Sequence, residues 1–192
     1  MDVKDAIVVA NVITPDECKD ILEKEWDWRR ASRFNYYQDL KNNDEQTNHN
    51  PRIDANYTQT YGSEEHGFWL QDLLKERLVS AAKIYGEVVQ EFGMSIDCLT
   101  PIRINRYQVG DNIEMHIDHI HSIFDGVHKG IPIISFVGVL NDDYEGGEFM
   151  IRGEKLPLKA GDVAMFPSCY LYPHEVKSVT KGTRYSIVAW GF

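Results

Sequence analysis

The chain has 192 residues, 43% of them apolar, and a formal net charge of −10, which suits one domain with one sizeable core. An acidic chain repels a phosphate backbone, which argues against nucleic acid as a partner. Cys18, Cys98 and Cys169 are widely spaced and read as free thiols of a reducing compartment. With no signal-peptide core and no run of membrane-spanning length, the expectation is a cytoplasmic protein without a membrane partner.

Residues 6–13 are β-branched and predict a strand. A helix is expected at once, because Thr14 is an N-cap, Pro15 suits the first helical position and Glu17 completes a capping box. Cys18, Ile21, Leu22 and Trp26 then share one face. Residues 28–63 turn polar and tyrosine-bearing, and predict a binding loop that closes over a substrate. A long amphipathic helix follows over 65–92, with Leu70, Leu73, Leu74, Leu78, Ala81, Ile84, Tyr85, Val88 and Phe92 as its stripe and Gly93 as its stop. Beyond residue 98 the pattern is all strand: 100–108, 112–118, 131–140, 147–152, 162–166, 173–177 and 183–191, punctuated by glycines.

This order predicts a single α+β domain over 1–192. Helices at about 14–92 support a strand-rich core at about 98–192. The closed solution for about eight short strands is the jelly roll, or double-stranded β-helix.

The chemistry-bearing string is His116-Ile117-Asp118. Side chains alternate along a strand, so His116 and Asp118 share a face, and His174 on a later strand can complete a set of three. Two imidazoles and a carboxylate on one face of an octahedral ion form the facial triad of non-haem Fe(II) oxygenases. Taken alone, His116 also reads as a hydrogen-bonded core histidine and Asp118 as a turn cap. His119 and His121 have the opposite parity and read as solvated loop residues. Asp142, Asp143 and Glu145 read as a solvated turn.

The context favours the triad. Arg106-Tyr-Gln-Val-Gly-Asp111, His116-Ile-Asp118, Leu140-Asn-Asp, Glu145-Gly-Gly-Glu-Phe149 and the run from Pro173 through Arg184 to Phe192 occur in one order. Together they resemble the prolyl 4-hydroxylase-like Fe(II)/2-oxoglutarate dioxygenases, specifically over about 100–192 and weakly at 13–18. The resemblance implies Fe(II) on His116, Asp118 and His174. It implies that Arg184 grips the distal carboxylate of 2-oxoglutarate, for which a guanidinium fork is suited. It places Tyr107 in the co-substrate pocket and Trp190 beside the substrate; a core aromatic and barrel packing are their alternative roles. Relatives carry tyrosines where this chain has Ile113 and Val139, so fewer hydroxyls reach the co-substrate. The implied activity is C–H hydroxylation coupled to 2-oxoglutarate decarboxylation, using O2, with ascorbate as an auxiliary reductant. A prolyl residue of a peptide or protein is the leading substrate. The alternatives are another residue or a free small molecule, a non-catalytic cupin-like metal module, and a degenerate interaction domain. The oligomeric state is not legible.

Overall fold

The computed structural model describes residues 2–31, 34–35, 52–53, 55–62, 66–89, 96–118 and 131–192. The strand predicted over 6–13 runs Val8–Asn11, behind a short 3-10 turn at Val3–Ala6. Helix α1, Pro15–Leu22, starts as its sequence dictates. Thr14 Oγ1 accepts from the Glu17 amide, and the Glu17 carboxylate accepts from the Thr14 amide. The same carboxylate pairs with Arg77 of helix α2, Gly67–Val88, so one acid caps one helix and ties it to the next. Helix α1 ends before Trp26, whose indole donates to the Ile21 carbonyl instead of extending the helical face.

Helix α2 buries Leu70, Leu74, Leu78, Ala81 and Tyr85, as its 3–4 spacing requires. Ile84 and Val88 of the predicted stripe are exposed, because the stripe drifts off the buried face toward the end of the helix. The helix closes on Val89; Phe92 and Gly93 lie outside the described residues. The Gln71 amide pairs with both the N–H and the carbonyl of Ile102, which fixes the helix to the sheet. No helix among the described residues is long and apolar enough to cross a membrane.

Most of the described strands form two facing antiparallel sheets; Glu145–Gly146 with Val179–Lys181, and Phe34–Asn35 with Arg52–Ile53, form two separate two-stranded ladders. The large one runs Val8–Asn11, Asp162–Pro167, Ile134–Val139, Arg184–Gly191, Arg103–Tyr107, Thr58–Thr60 and Arg29–Arg30. The small one runs Glu154–Lys155, Phe149–Ile151, His174–Val176, Asn112–His116 and Ala55–Asn56. This is the predicted double-stranded β-helix. Strand parity divides its two cores. Ile104, Phe136, Ile187 and Ala189 face the helices, while Tyr107, Val137 and Phe166 face Ile113, Phe149 and Val176 of the small sheet. Gly138 lies on the helix side, where a Cβ would sit 2.6 Å from Ile187, so only glycine lets these strands pack. Leu74 is fully buried, and its loss to Ala would cost about 2–5 kcal/mol.

The polar segment 28–63 is not one loop. Thr58–Thr60 pairs with Arg103–Tyr107, Arg29–Arg30 pairs with Thr58–Thr60, and Ala55–Asn56 joins the small sheet. Tyr57 is fully buried between these strands. Residues 32–33, 36–51, 54 and 63 of the expected binding loop lie outside the described residues.

Candidate active site

The space between the sheets opens into a cavity lined by all six residues singled out from the sequence: His116, Asp118, His174, Arg184, Tyr107 and Trp190. Register explains the first three. His116 and His174 are directly opposed on neighbouring strands of the small sheet, and their ring centroids lie 4.3 Å apart. Asp118 follows two residues after His116. Its Oδ1 is 3.9 Å from His116 Nε2 and its Oδ2 is 3.7 Å from His174 Nε2. One ligand atom from each of the three lies within 4.8 Å of the others.

Hydrogen bonds aim these groups. His116 Nδ1 lies 2.8 Å from the Glu114 carbonyl, and His174 Nδ1 lies 3.0 Å from the Tyr172 carbonyl. A carbonyl only accepts, so both Nδ1 atoms carry the proton and both Nε2 lone pairs face Asp118. Ser135 Oγ donates to Asp118 Oδ2 at 2.5 Å and is itself 2.7 Å from Ser168 Oγ.

Burial sets the charge states. Desolvation, with His174 adding to it, pushes the His116 pKa down to about 4, so the ring is neutral at physiological pH. Burial alone would raise the Asp118 pKa. The neighbouring histidines, with hydrogen bonds from Ser135 and the Trp190 indole, outweigh it and hold the group ionised. Two imidazoles and one carboxylate are a ready ligand set for a divalent ion.

The other wall belongs to the large sheet. Arg184 is 1% exposed, and its Nε, Nη1 and Nη2 atoms are buried without a hydrogen-bond partner among the described residues. Its guanidinium lies 5.2 Å from the Tyr107 ring centroid, and Tyr107 is the residue opposite it in register. Burial raises the Tyr107 pKa, so the phenol stays protonated. Gly147 supports the arginine from below. It has φ +63°, and a Cβ there would meet Arg184 Cδ at 3.0 Å. Ile113 and Val139 are buried and apolar, so they bring no hydroxyl toward the arginine.

Three participants escaped the sequence reading. Arg103 is buried in the same cavity, with its guanidinium 5.0 Å from the Trp190 ring centroid. Its parity with Tyr107 could have revealed it. Ser135 carried no such signal, and Gly147 was read only as part of the Glu145–Phe149 motif, without a role. Asp142 and Asp143 are exposed as expected, whereas Glu145 is exposed but belongs to a short strand, Glu145–Gly146, and pairs with Lys181. His119 and His121 lie outside the described residues.

Comparison with known proteins agrees with this arrangement. A profile of the 2OG-Fe(II) oxygenase superfamily matches residues 102–192. A PKHD-type hydroxylase from Nitrobacter winogradskyi is 30% identical over 196 residues, covering 95% of this chain and 76% of the relative. One from Idiomarina loihiensis is 40% identical over 93 residues, covering 46% of this chain and only 40% of the relative. The viral collagen prolyl hydroxylase of Paramecium Bursaria Chlorella virus-1, solved with 2OG, superposes with a TM-score of 0.62 at 15% identity, covering 96% of this chain and 94% of the other. That likeness is one of fold. The match to the Nitrobacter relative, over 95% of this chain and 76% of the relative, carries the assignment: the chain belongs to the PKHD-type hydroxylases of the 2OG-Fe(II) oxygenase superfamily.

Proposed function

We propose that this protein is an Fe(II)- and 2-oxoglutarate-dependent dioxygenase that hydroxylates a C–H bond of a prolyl residue in a peptide or protein. The carrying observation is the Arg184 guanidinium, buried without a hydrogen-bond partner among the described residues in the cavity that also holds the triad. A permanent cation kept out of water at a cost of several kcal/mol is justified by an anion that binds it. The donor set fits Fe(II), and the guanidinium fits the far carboxylate of a diacid whose near end reaches the metal.

When bound, Fe(II) with 2-oxoglutarate and O2 supplies the oxidising power, leaving succinate, CO2 and one oxygen atom inserted in the substrate. The chain's own residues do the rest. His116, Asp118 and His174 would hold the metal on one face, their Nε2 and carboxylate atoms pre-aimed by the carbonyl and serine contacts. Arg184 fixes the co-substrate, Tyr107 walls it as an uncharged phenol, and Trp190 borders the substrate. The apolar lining of Ile113, Val137, Phe149 and Val176 keeps water away from reactive species.

Proline as the target is supported by the family, by the named activity of the viral fold relative and by an aromatic-walled pocket that suits a pyrrolidine ring. We place the reaction in the cytoplasm, in keeping with three free thiols. The test is to incubate Fe(II)-loaded protein with 2-oxoglutarate, ascorbate and a proline-containing peptide library. The expected result is succinate matched by a mass gain of one oxygen on a prolyl peptide. Stoichiometric succinate with a free amino acid or a methylated base, and none with any prolyl peptide, overturns the substrate assignment.

A further inference from the structure

One ligand of the triad is held differently from the other two. His116 and His174 sit in the ladder of the small sheet, and backbone carbonyls two residues upstream aim their rings. Asp118 lies two residues beyond the strand Asn112–His116, past the last register pair of that ladder, His174 with His116. Its carboxylate is met from the large sheet. Ser135 Oγ donates to Oδ2 at 2.5 Å, and the Trp190 indole donates to the same carboxylate. Ser135 and Trp190 are direct register partners on the neighbouring strands Ile134–Val139 and Arg184–Gly191. One rung of the large sheet thus presents two donors to one carboxylate.

A further hydroxyl stands behind them. Ser168, one residue past the strand Asp162–Pro167, has its Oγ 2.7 Å from Ser135 Oγ. A hydroxyl has one proton, and Ser135 gives it to Asp118, so Ser168 is the donor in that pair. The relay runs from Ser168 to Ser135 to Asp118, each bond polarising the next. Ser135 is completely buried, and it is the polar side chain of a strand whose other members are apolar or glycine. A hydroxyl in that position is explained by the bonds it makes. A carboxylate held by two donors keeps one orientation, here with Oδ1 3.9 Å from His116 Nε2 and Oδ2 3.7 Å from His174 Nε2. An unheld carboxylate rotates about its single bonds, and a metal must order it on binding.

We propose that Ser135, backed by Ser168 and joined by Trp190, is a positioning residue that holds Asp118 ready for the metal, so that metal affinity is set from the opposite sheet. The proposal rests on the dioxygenase reading, since it requires a metal at the triad. It gives Trp190 a task at a metal ligand in addition to its place beside the substrate.

The test measures metal binding, so no turnover is needed. Zn(II) affinity is read by competition with a chromophoric chelator, and the visible spectrum of the Co(II) form reports the coordination, for wild type, S135A, S135T, S168A and W190F. S135A should bind Zn(II) about 10–100-fold more weakly than wild type, as loss of a group that orients a metal ligand does. S135T restores the hydroxyl and should return to within about three-fold of wild type. W190F keeps an aromatic ring without the N–H, and S168A removes the first hydroxyl of the relay; each should weaken binding by about three-fold or more. The Co(II) bands of S135A should change in intensity, because a carboxylate released from its donors is free to bind through both oxygens, and S135T should restore them. Circular dichroism checks folding; should either variant at position 135 fail to fold, W190F and S168A decide. Zn(II) affinity within about two-fold of wild type in folded S135A overturns the proposal. So does a folded S135T that binds as weakly as S135A, since the loss is then one of packing, and so do W190F and S168A that both keep wild-type affinity. Wild-type protein that binds neither ion refutes the dioxygenase reading and the proposal with it, whereas wild-type binding with indifferent variants removes the proposal alone.

Discussion

Replacing Arg184 with Met keeps the side chain long and apolar while removing the charge. In the wild-type protein the guanidinium is 1% exposed and all three of its nitrogens are unpartnered among the described residues, so the folded state bears its desolvation uncompensated. Exchanging a buried charge for an apolar group of similar volume stabilises proteins by about 1–4 kcal/mol. Loss of the stack on Tyr107 returns about 0.5–2 kcal/mol. The metal-free variant should therefore lie between about 1 kcal/mol less stable and about 3.5 kcal/mol more stable than wild type. The ligand response should reverse that order. At a concentration of 100 times Kd, 2-oxoglutarate stabilises wild type by about 2.7 kcal/mol, a Tm rise of roughly 5–11 °C for a domain of this size. Arg184→Met forfeits about 2–5 kcal/mol of that binding, some 30-fold to several thousand-fold in Kd, and should retain at most about a third of that rise. Thermal melts with and without 2-oxoglutarate, with Zn(II) present, read both effects. A wild-type ligand shift in the variant refutes the role of Arg184. A metal-free variant destabilised by more than about 2 kcal/mol shows that the guanidinium already has a partner.

Three further outcomes follow from the same geometry. His174→Ala and Asp118→Ala should each abolish the weak visible band formed anaerobically by Fe(II) and 2-oxoglutarate, since two remaining ligands do not hold the ion; an unchanged band removes the residue from the metal site. The unfolded chain protonates His116 near 6.5 and the folded chain only near 4, so metal-free stability should be full above pH 6.5 and fall by on the order of 3 kcal/mol on acidification toward pH 4. The depressed Asp118 pKa acts in a separate window, below 3.8, and urea titrations of chelator-treated protein that are flat from pH 7.5 to 4.5 would sink the assignment. Gly147→Ala, at φ +63° and against Arg184 Cδ, should cost about 1–3 kcal/mol and weaken 2-oxoglutarate binding; a wild-type Tm and affinity would show that the arginine is not braced there.

What the sequence revealed follows periodicity and capping. Thr14, Pro15 and Glu17 mark the start of α1 because each satisfies a local rule, and His116 and Asp118 share a face because strand parity is local too. The closing partner His174 was legible only through motif order, since its register opposite His116 is a long-range fact. Thr58-Gln59-Thr60 was missed as a strand because its side chains are polar; its place is set by pairing with Arg103–Tyr107, not by its own composition. Ile84 and Val88 were overcalled because apolar spacing does not say where a partner surface ends. Arg103 escaped because a charged residue in a predicted strand reads as solvent-facing until the opposite sheet is known to cover it.

The metal-side and anion-side groups do not share a layer. His116 and His174 belong to the small sheet, whereas Arg184, Tyr107, Arg103 and Trp190 belong to the large one. A molecule that touches both the triad and Arg184 is thus a cross-brace between two plates that otherwise meet through Ile113, Phe149 and Val176 against Tyr107, Val137 and Phe166. Co-substrate affinity and the spacing of the sheets become one mechanical quantity. Any substitution in that interlayer packing, even one touching neither the triad nor Arg184, tunes the reach from metal to guanidinium.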